Sequence, residues 1–201
     1  MHVRPATADD LESIRAVARE TWHDTYDELD AETIDWAIDE WYGAGAIPLE
    51  APGTVVLVVE VEDAAGEGSS DRADDTPVNE WDARSTAAAE PAGEEPAAES
   101  GNDAGDRIVG FAQAVVHGET ADVLRLYVHP DFQGRGIGTR LHERLRIQLE
   151  AYDIERIQLI DFAFNDEGRG FYESLGFERT DEGEVEIAGE FYPEVVYTLE
   201  V

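Results

Sequence analysis

The chain has 201 residues, and its 47 acidic side chains against 14 basic ones give a formal net charge of −33 at pH 7. A negative field of this size repels nucleic acids and anionic membranes, so we expect neither as a partner. Cysteine is absent, which excludes disulfides, a thiol nucleophile and cysteine ligands for a metal. The length suits one domain with a core of its own.

The acidic composition also predicts how stability depends on salt and in which cellular compartment the protein lies. Repulsion among the carboxylates destabilises the fold at low salt, and molar salt screens that repulsion. The composition is similar to that of cytoplasmic proteins from salt-accumulating microbes, so we expect a halophilic, cytoplasmic protein. No apolar run reaches the ~18 residues of a membrane span, and no apolar stretch follows the first residues, so neither membrane insertion nor secretion is expected.

The first sixty residues predict a strand, two helices and a second strand. A short strand at residues 3–4 precedes apolar residues that recur at helical spacing over residues 11–22. Asp30 can cap a second helix, which ends before Gly43. The β-branched run at residues 54–61 predicts a strand that is buried on both faces.

Residues 62–106 differ in composition from the rest of the chain. They are rich in Ala, Gly, Ser, Pro and acidic residues, with Trp81 nearly alone as a large apolar side chain. Such a segment cannot bury enough apolar surface to offset its ordering entropy. We therefore predict a single domain over residues 1–201 that is interrupted by a disordered acidic insertion. A linker between two domains is disfavoured, because the first sixty residues offer only one good strand.

The second half of the chain predicts the remaining elements. Five strands are expected at residues 107–117, 121–128, 156–162, 177–187 and 191–201. A helix with Leu141, Leu145 and Leu149 on one face follows the second of these, and a short helix at residues 165–174 follows the third. The order β-α-α-β-β-β-α-β-α-β-β predicts an α/β fold with a mixed, mostly antiparallel central sheet and flanking helices.

A glycine-rich turn separates the strand at 121–128 from its helix. Residues 133–138 read Gln-Gly-Arg-Gly-Ile-Gly, and three glycines here let the backbone approach a ligand closely. A helix N-terminus adds unpaired N–H donors and partial positive charge, so strand, turn and helix predict an anion site. The spacing fits neither a Walker loop nor G-x-G-x-x-G. Taken alone, it is equally a turn that merely starts a helix.

Two motifs together resemble the GNAT-type N-acetyltransferases. The pattern Gln-x-x-Gly-x-Gly at residues 133–138, preceded by Leu-Tyr-Val-His-Pro at 126–130, is similar to the pyrophosphate loop of that family. Asn165 and the later run Tyr-x-x-Leu-Gly-Phe at residues 172–177 are similar to its second motif. Both occur in the expected order with one strand between them. The resemblance implies the acetyltransferase fold.

The resemblance further implies transfer of an acetyl group from acetyl-CoA, as co-substrate, to a primary amine by direct attack in a ternary complex. The acceptor expected is a small-molecule or peptide amine, and the sequence leaves a homodimer open. No metal is implied, because the five histidines have no metal-like spacing. The cofactor-binding residues carried over are Leu126, Tyr127, Val128, Gln133, Gly134, Arg135, Gly136, Ile137, Gly138, Thr139, Arg140, Asn165 and Tyr172.

Two residues are candidates for catalysis. Tyr172 stands where the family places the acid that assists the departing thiolate, although a tyrosine packed in the core is the alternative. Asp122 stands where some relatives carry a catalytic glutamate. Alternation along the strand puts Asp122 on the face of Leu124 and Leu126, where an apolar setting would raise its pKa. A water relay and a plain solvated aspartate are the alternatives.

For the acceptor pocket, the resemblance points to the first two helices and the last hairpin. Tyr26 and Tyr192 are predicted to bind substrate, whereas Trp22, Trp36 and Trp41 are expected in the core. The surrounding acids favour a cationic amine. Two other functions remain open: a non-catalytic CoA-binding sensor or regulatory module, and a scaffold whose acidic segment binds proteins.

Overall fold

The computed structural model describes residues 1–43, 45–62 and 107–201. Seven strands form one sheet in the order β1-β2-β3-β4-β5-β7-β6, and every neighbouring pair is antiparallel except β4 and β5. This confirms the predicted mixed, mostly antiparallel sheet. Of the predicted insertion at 62–106, all but Glu62 lies outside the described residues. The strands are β1 (His2–Pro5), β2 (Thr54–Val61), β3 (Arg107–His117), β4 (Thr120–Val128), β5 (Arg156–Phe162), β6 (Glu178–Ile187) and β7 (Glu190–Glu200).

Four helices cover the two faces of the sheet. They are α1 (Leu11–Thr25), α2 (Ala31–Trp41), α3 (Ile137–Leu149) and α4 (Asp166–Ser174). The apolar sides of α1 and α2 pack on one face and that of α3 packs on the other, where Tyr172 of α4 and the following Leu175 also pack. No helix among the described residues is long and apolar enough to span a membrane.

Strand β2 has no polar face because both faces of the sheet are covered. Val56 and Val58 point toward α1 and α2, whereas Leu57 and Val59 point toward α3. All four side chains are buried, which confirms the prediction made from the β-branched run. The predicted elements are therefore present in the predicted order, with ends that differ by at most three residues from the prediction.

Strands β4 and β5 are paired over only part of their length. The parallel pairing covers Thr120–Val123 of β4, and beyond it the two strands separate. On its other edge β4 carries a bulge, because Gln113 pairs with Arg125 while Ala114 pairs with Val123. Leu124 is therefore unpaired and the side-chain alternation of β4 shifts by one residue. The separation opens the sheet between β4 and β5, and this opening positions the candidate site.

Candidate active site

The loop between β4 and α3 presents an unusual run of free donors. The backbone N–H groups of residues 134–139 donate to no described backbone carbonyl or side chain. Gly136, the N-cap of α3, has φ 75°, in the left-handed region that glycine adopts without strain. The first turn of α3 carries no acidic side chain. The loop therefore suits a pyrophosphate, because its free N–H groups can donate to phosphate oxygens and the first turn of α3 adds no carboxylate to repel them.

Gly138 serves packing between helices as well as the loop. A Cβ built on it would stand 3.0 Å from the Phe171 ring, so the absence of a side chain lets α3 approach α4. Gln133 also has a local role, because its Nε2 donates to the Val128 carbonyl at 3.0 Å. Arg135 donates to the Asp131 carbonyl at 2.8 Å, and it lies with Arg140 on the exposed surface. Neither arginine lines the cavity described next.

A cavity of about 380 Å³ runs from this loop along β4. Its walls come from α1, the end of β4, the loop and the start of α4. His129 donates from its backbone N to Val109 at 2.9 Å, so strand alternation turns the N–H groups of Leu126 and Val128 away from β3. Because β5 no longer pairs with β4 there, these two donors face the opening. The predicted cofactor residues Leu126, Tyr127, Val128, Gln133, Gly134, Gly136, Ile137, Gly138, Thr139, Asn165 and Tyr172 all line this cavity.

Tyr172 lies in the lining of the same cavity, in the last part of α4. Its ring packs against Phe171, Phe177 and Tyr197. Burial raises the pKa of Tyr172 well above its usual range, and the negative charge of Asp161 adds to the rise. The hydroxyl is therefore protonated at neutral pH and acts as a hydrogen-bond donor.

Asp161, near the end of β5, is the residue that the sequence analysis missed. Its Oδ2 accepts from Asn165 Nδ2 at 2.9 Å, and its Oδ1 accepts from the Phe162 N–H at 2.9 Å. Burial raises its pKa to about 6, although these hydrogen bonds and the nearby Tyr26 hydroxyl oppose the rise. A carboxylate whose pKa lies near neutrality can accept a proton from a substrate.

Gly168 explains why Asp161 and Asn165 can meet. Asn165 caps α4, since its Oδ1 accepts from the Gly168 N–H at 2.8 Å. A Cβ on Gly168 would overlap Asp161 Oδ2 and Asn165 Nδ2. By contrast, a Cβ on Gly170 would meet no atom within 4 Å. The first of these two helix glycines therefore makes room for the half-buried carboxylate of Asp161.

Asp122 is placed differently from the prediction. Its neighbours Ala121 and Val123 are buried on the α3 side, and Leu126 packs against the same cluster. Asp122 therefore points to the opposite face, because the bulge at Leu124 shifts the alternation. Its side chain is 38% exposed, stands 3.9 Å from His117 Nε2, and lines neither cavity described here. The expectation of a shared apolar face is wrong.

A second cavity of about 260 Å³ opens between β4 and β5 on the side of α1 and α2. The carboxylates of Asp161 and Glu194 lie in its lining, and burial raises the pKa of Glu194. Arg125 is also in the lining. Aromatic and aliphatic side chains form the remaining wall.

The aromatic residues predicted for the acceptor pocket or the core lie in three places: the cavity linings, the core and the surface. Tyr26 is buried and lines both cavities, whereas Tyr192 lines neither and donates to Glu190 at 3.0 Å. Trp22 is a core residue as expected and also lines the second cavity, which Trp41 lines as well. Trp36 is 42% exposed, so its predicted place in the core is wrong.

The two cavities share two residues, Tyr26 and Tyr127. Burial raises the pKa of Tyr127 to about 12, and it raises the pKa of Tyr26 well above its usual range. Asp161 contributes to both shifts through its negative charge. A molecule in each cavity would therefore meet its neighbour beside these tyrosines and Asp161. No group of three His, Asp or Glu side chains among the described residues is arranged to hold a metal ion.

Comparison with known proteins gives the following similarities. The sequence model described as the acetyltransferase (GNAT) domain matches residues 97–179. The chain is 40% identical over 83 residues to an uncharacterized N-acetyltransferase of Porphyra purpurea, over 41% of this chain and 46% of that protein. The chain thus spans less than half the length of that curated relative.

Two solved structures share the fold at low identity. The PaiA N-acetyltransferase of Thermoplasma acidophilum, solved in complex with coenzyme A, is 20% identical with a TM-score of 0.64, over 96% of both chains. A GCN5-related N-acetyltransferase of Rhodopseudomonas palustris is 16% identical with a TM-score of 0.66, over 100% of this chain and 95% of that one.

Proposed function

We propose that the chain transfers an acetyl group from acetyl-CoA to a primary amine by direct attack in a ternary complex, and the match of the acetyltransferase (GNAT) domain model to residues 97–179 supports this proposal. The observation that supports this most is that the two cavities meet at Tyr26 and Tyr127. One cavity ends at a loop of free N–H donors that suits a phosphate-bearing co-substrate, and the other holds carboxylates that suit an amine. The two reactants would thus be bound together, with no need for an acetyl group to be stored on the protein.

Acetyl-CoA supplies an acetyl thioester, whose carbonyl carbon bonds to the amine nitrogen while the carbon–sulfur bond breaks. The chain's part begins with binding. The N–H groups of residues 134–139 hold the pyrophosphate, and those of Leu126 and Val128 point into the gap left by β5. In this proposal the latter two donate to the acetyl oxygen, and they stabilise the negative charge that develops on it.

The amine must lose a proton before or during attack, because a primary ammonium group has a pKa of ~10. We assign this proton to Asp161 in place of Asp122. Asp161 lines the acceptor cavity, and with a pKa of about 6 its carboxylate is ionised at neutral pH. Asn165 and the Phe162 N–H fix its orientation. Transfer from the free ammonium to this carboxylate is uphill, so the proton leaves as the carbon–nitrogen bond forms and the nitrogen becomes more acidic, either directly or through one bound water.

Tyr172 is assigned to the departing sulfur as a hydrogen-bond donor. A thiol has a pKa of ~8.5, so full transfer of a proton from a phenol of raised pKa would be uphill. A hydrogen bond to the thiolate needs no such transfer, and it still stabilises the transition state. The proton that finally neutralises the sulfur balances the one released by the amine.

The test is thiol release from acetyl-CoA in molar KCl with a panel of primary amines, followed by mass spectrometry of the products. We expect one thiol per N-acetylated amine. Binding of coenzyme A without turnover for any amine would instead identify a CoA-binding sensor or regulatory module. Absence of both binding and turnover would remove the site assignment.

A further inference from the structure

The wall of the acceptor cavity contains a cation that the proposed chemistry does not use. Arg125 lies where β4 has left β5, and its guanidinium stands 4.6 Å from the centroid of the Tyr42 ring. It donates to the Trp41 carbonyl at 2.6 Å and to Gln113 Oε1. Among the described residues it forms no ion pair, although acidic side chains outnumber basic ones by 47 to 14 in the chain. These acceptors and the nearby Tyr42 hydroxyl do not use all five of its N–H groups, so the guanidinium can still donate to a ligand.

A second donor in the same wall makes no hydrogen bond of normal geometry with a described residue. Trp22 is 3% exposed and lines the acceptor cavity, yet its Nε1 donates to no described residue with normal hydrogen-bond geometry. It lies near the Tyr127 hydroxyl, since it is one of the groups that oppose the rise in the pKa of Tyr127 caused by burial. A buried N–H that lacks a well-aligned acceptor favours a ligand whose oxygen can accept from it.

The elements that line the cavity thus contribute groups of different charge. Asp161 and Glu194 stand on β5 and β7, whereas Arg125 stands on β4 and Trp22 on α1. No side chain in the lining of either cavity, other than Arg125, is cationic in the part of the chain that the structure describes. The net charge of −33 repels an anion at long range, and Arg125 is the cation that would receive an anionic group inside this cavity.

We propose that the acceptor is a zwitterion, a free amino acid or a similarly small amino carboxylate. Its carboxylate binds Arg125 and the Trp22 Nε1, while its amine faces Asp161 at the junction of the two cavities. This inference rests on the proposed acetyl transfer and names its substrate class. An internal residue or the N-terminus of a protein chain lacks the free carboxylate beside the amine, and a simple alkylamine leaves both donors empty.

The test uses matched acceptors that differ only in the carboxylate: L-leucine against isoamylamine, and L-phenylalanine against phenethylamine. For the wild type we expect the amino acid of each pair to have the higher kcat/KM. In Arg125→Gln this preference should fall at least ~10-fold, which is the value of roughly one charge-assisted hydrogen bond. Arg125→Lys should restore part of it. Arg144→Gln, an equal charge change on the exposed side of α3, should leave it unchanged.

The outcomes separate this inference from the proposed function. Arg125 also anchors the end of α2 through the Trp41 carbonyl, and loss of that role alone would reduce both members of a pair equally. Equal losses, or a wild type that prefers the amines, would overturn the inference and leave acetyl transfer standing. If no acceptor is acetylated, calorimetry in the presence of coenzyme A can still compare the affinities of the amino acids and of their amines. The amino acids should bind the wild type more tightly than their amines, and equal or no binding would overturn the inference.

Discussion

Substitution of Asp161 by asparagine tests the assignment of the base and of its buried setting together. Asparagine has nearly the same shape, and it still accepts a hydrogen bond from Asn165 or the Phe162 N–H. It cannot accept the amine proton. Loss of a general base lowers turnover by ~10²–10⁴, so we expect a fall in kcat within this range and a small change in acetyl-CoA affinity.

The pH dependence of turnover gives a second readout. The ionised form of Asp161 is the active base, and its pKa is about 6. The kcat/KM of the wild type should therefore rise as pH increases through about 6 and then level off for this group. In Asp161→Asn that acidic limb should disappear. Initial rates of thiol release between pH 5 and 8 in molar KCl measure both profiles.

As pH rises through about 6, the free energy of unfolding of the wild type should fall while its turnover rises. The folded state holds the Asp161 proton more tightly than the unfolded state, because burial raises the pKa from 3.8 to about 6. The ionised carboxylate therefore destabilises the fold increasingly as pH rises through that window, by roughly 3 kcal/mol above it. Denaturant unfolding should show that the free energy of unfolding of Asp161→Asn increases relative to that of the wild type as pH rises from 4 to 8. Unchanged turnover, an intact acidic limb and no gain in stability would refute the reasoning.

Four further predictions follow from the described contacts. Tyr172→Phe keeps the ring and removes the hydroxyl, so kcat should fall while acetyl-CoA affinity, measured by calorimetry, stays the same; full turnover with unchanged melting would assign Tyr172 to packing alone. Gly168→Ala should lower kcat because its Cβ displaces Asp161 and Asn165. In Gly170→Ala the new Cβ meets open space, so this variant should keep full activity, and its free energy of unfolding should rise by up to ~1 kcal/mol. Equal activity in the two variants would contradict this. Gly136→Val should abolish coenzyme A binding, because valine at φ 75° strains the loop that presents the donors; calorimetry that finds wild-type affinity would remove this site. Melting temperature should rise with KCl over the molar range, and a salt-independent value would remove the halophilic interpretation.

Most of the fold and of the cofactor loop can be predicted from sequence because both depend on local patterns. Apolar periodicity identifies α1, α3 and β2, and the three glycines identify the turn that opens α3. The order of elements then limits the sheet to few topologies. The charge of −33 excludes partner classes but carries no information about the site.

The carboxylate that we propose as the base, Asp161, could not be predicted because its position depends on two long-range features. A single unpaired residue, Leu124, shifts the alternation of β4 and turns Asp122 away from the face that Leu126 occupies. The separation of β4 from β5 leaves Asp161 half-buried beside a cavity. A local signal was present, since Asp161 is the one acid in an otherwise apolar end of a strand and is followed four residues later by Asn165.

Gly168 is a second residue whose role cannot be predicted from the sequence alone. By helix propensity alone it weakens α4, and nothing in the sequence says why a helix should accept that loss. The structure supplies the reason, because Asp161 Oδ2 and Asn165 Nδ2 occupy the space of its Cβ. The neighbouring Gly170 has no such contact and remains unexplained by the described residues.

The most direct test of the account is a single-turnover reaction with acetyl-CoA that carries ¹³C in the acetyl group. Intact-protein mass spectrometry follows the chain, and product analysis follows the acceptor, with L-leucine and isoamylamine as probes. The account predicts that the label moves to the acceptor nitrogen with release of one thiol. Without an acceptor, the protein should carry no label. An acetylated protein that later passes its label to the amine would contradict direct attack, and failure of both acceptors to gain label despite bound coenzyme would contradict acetyl transfer to these amines.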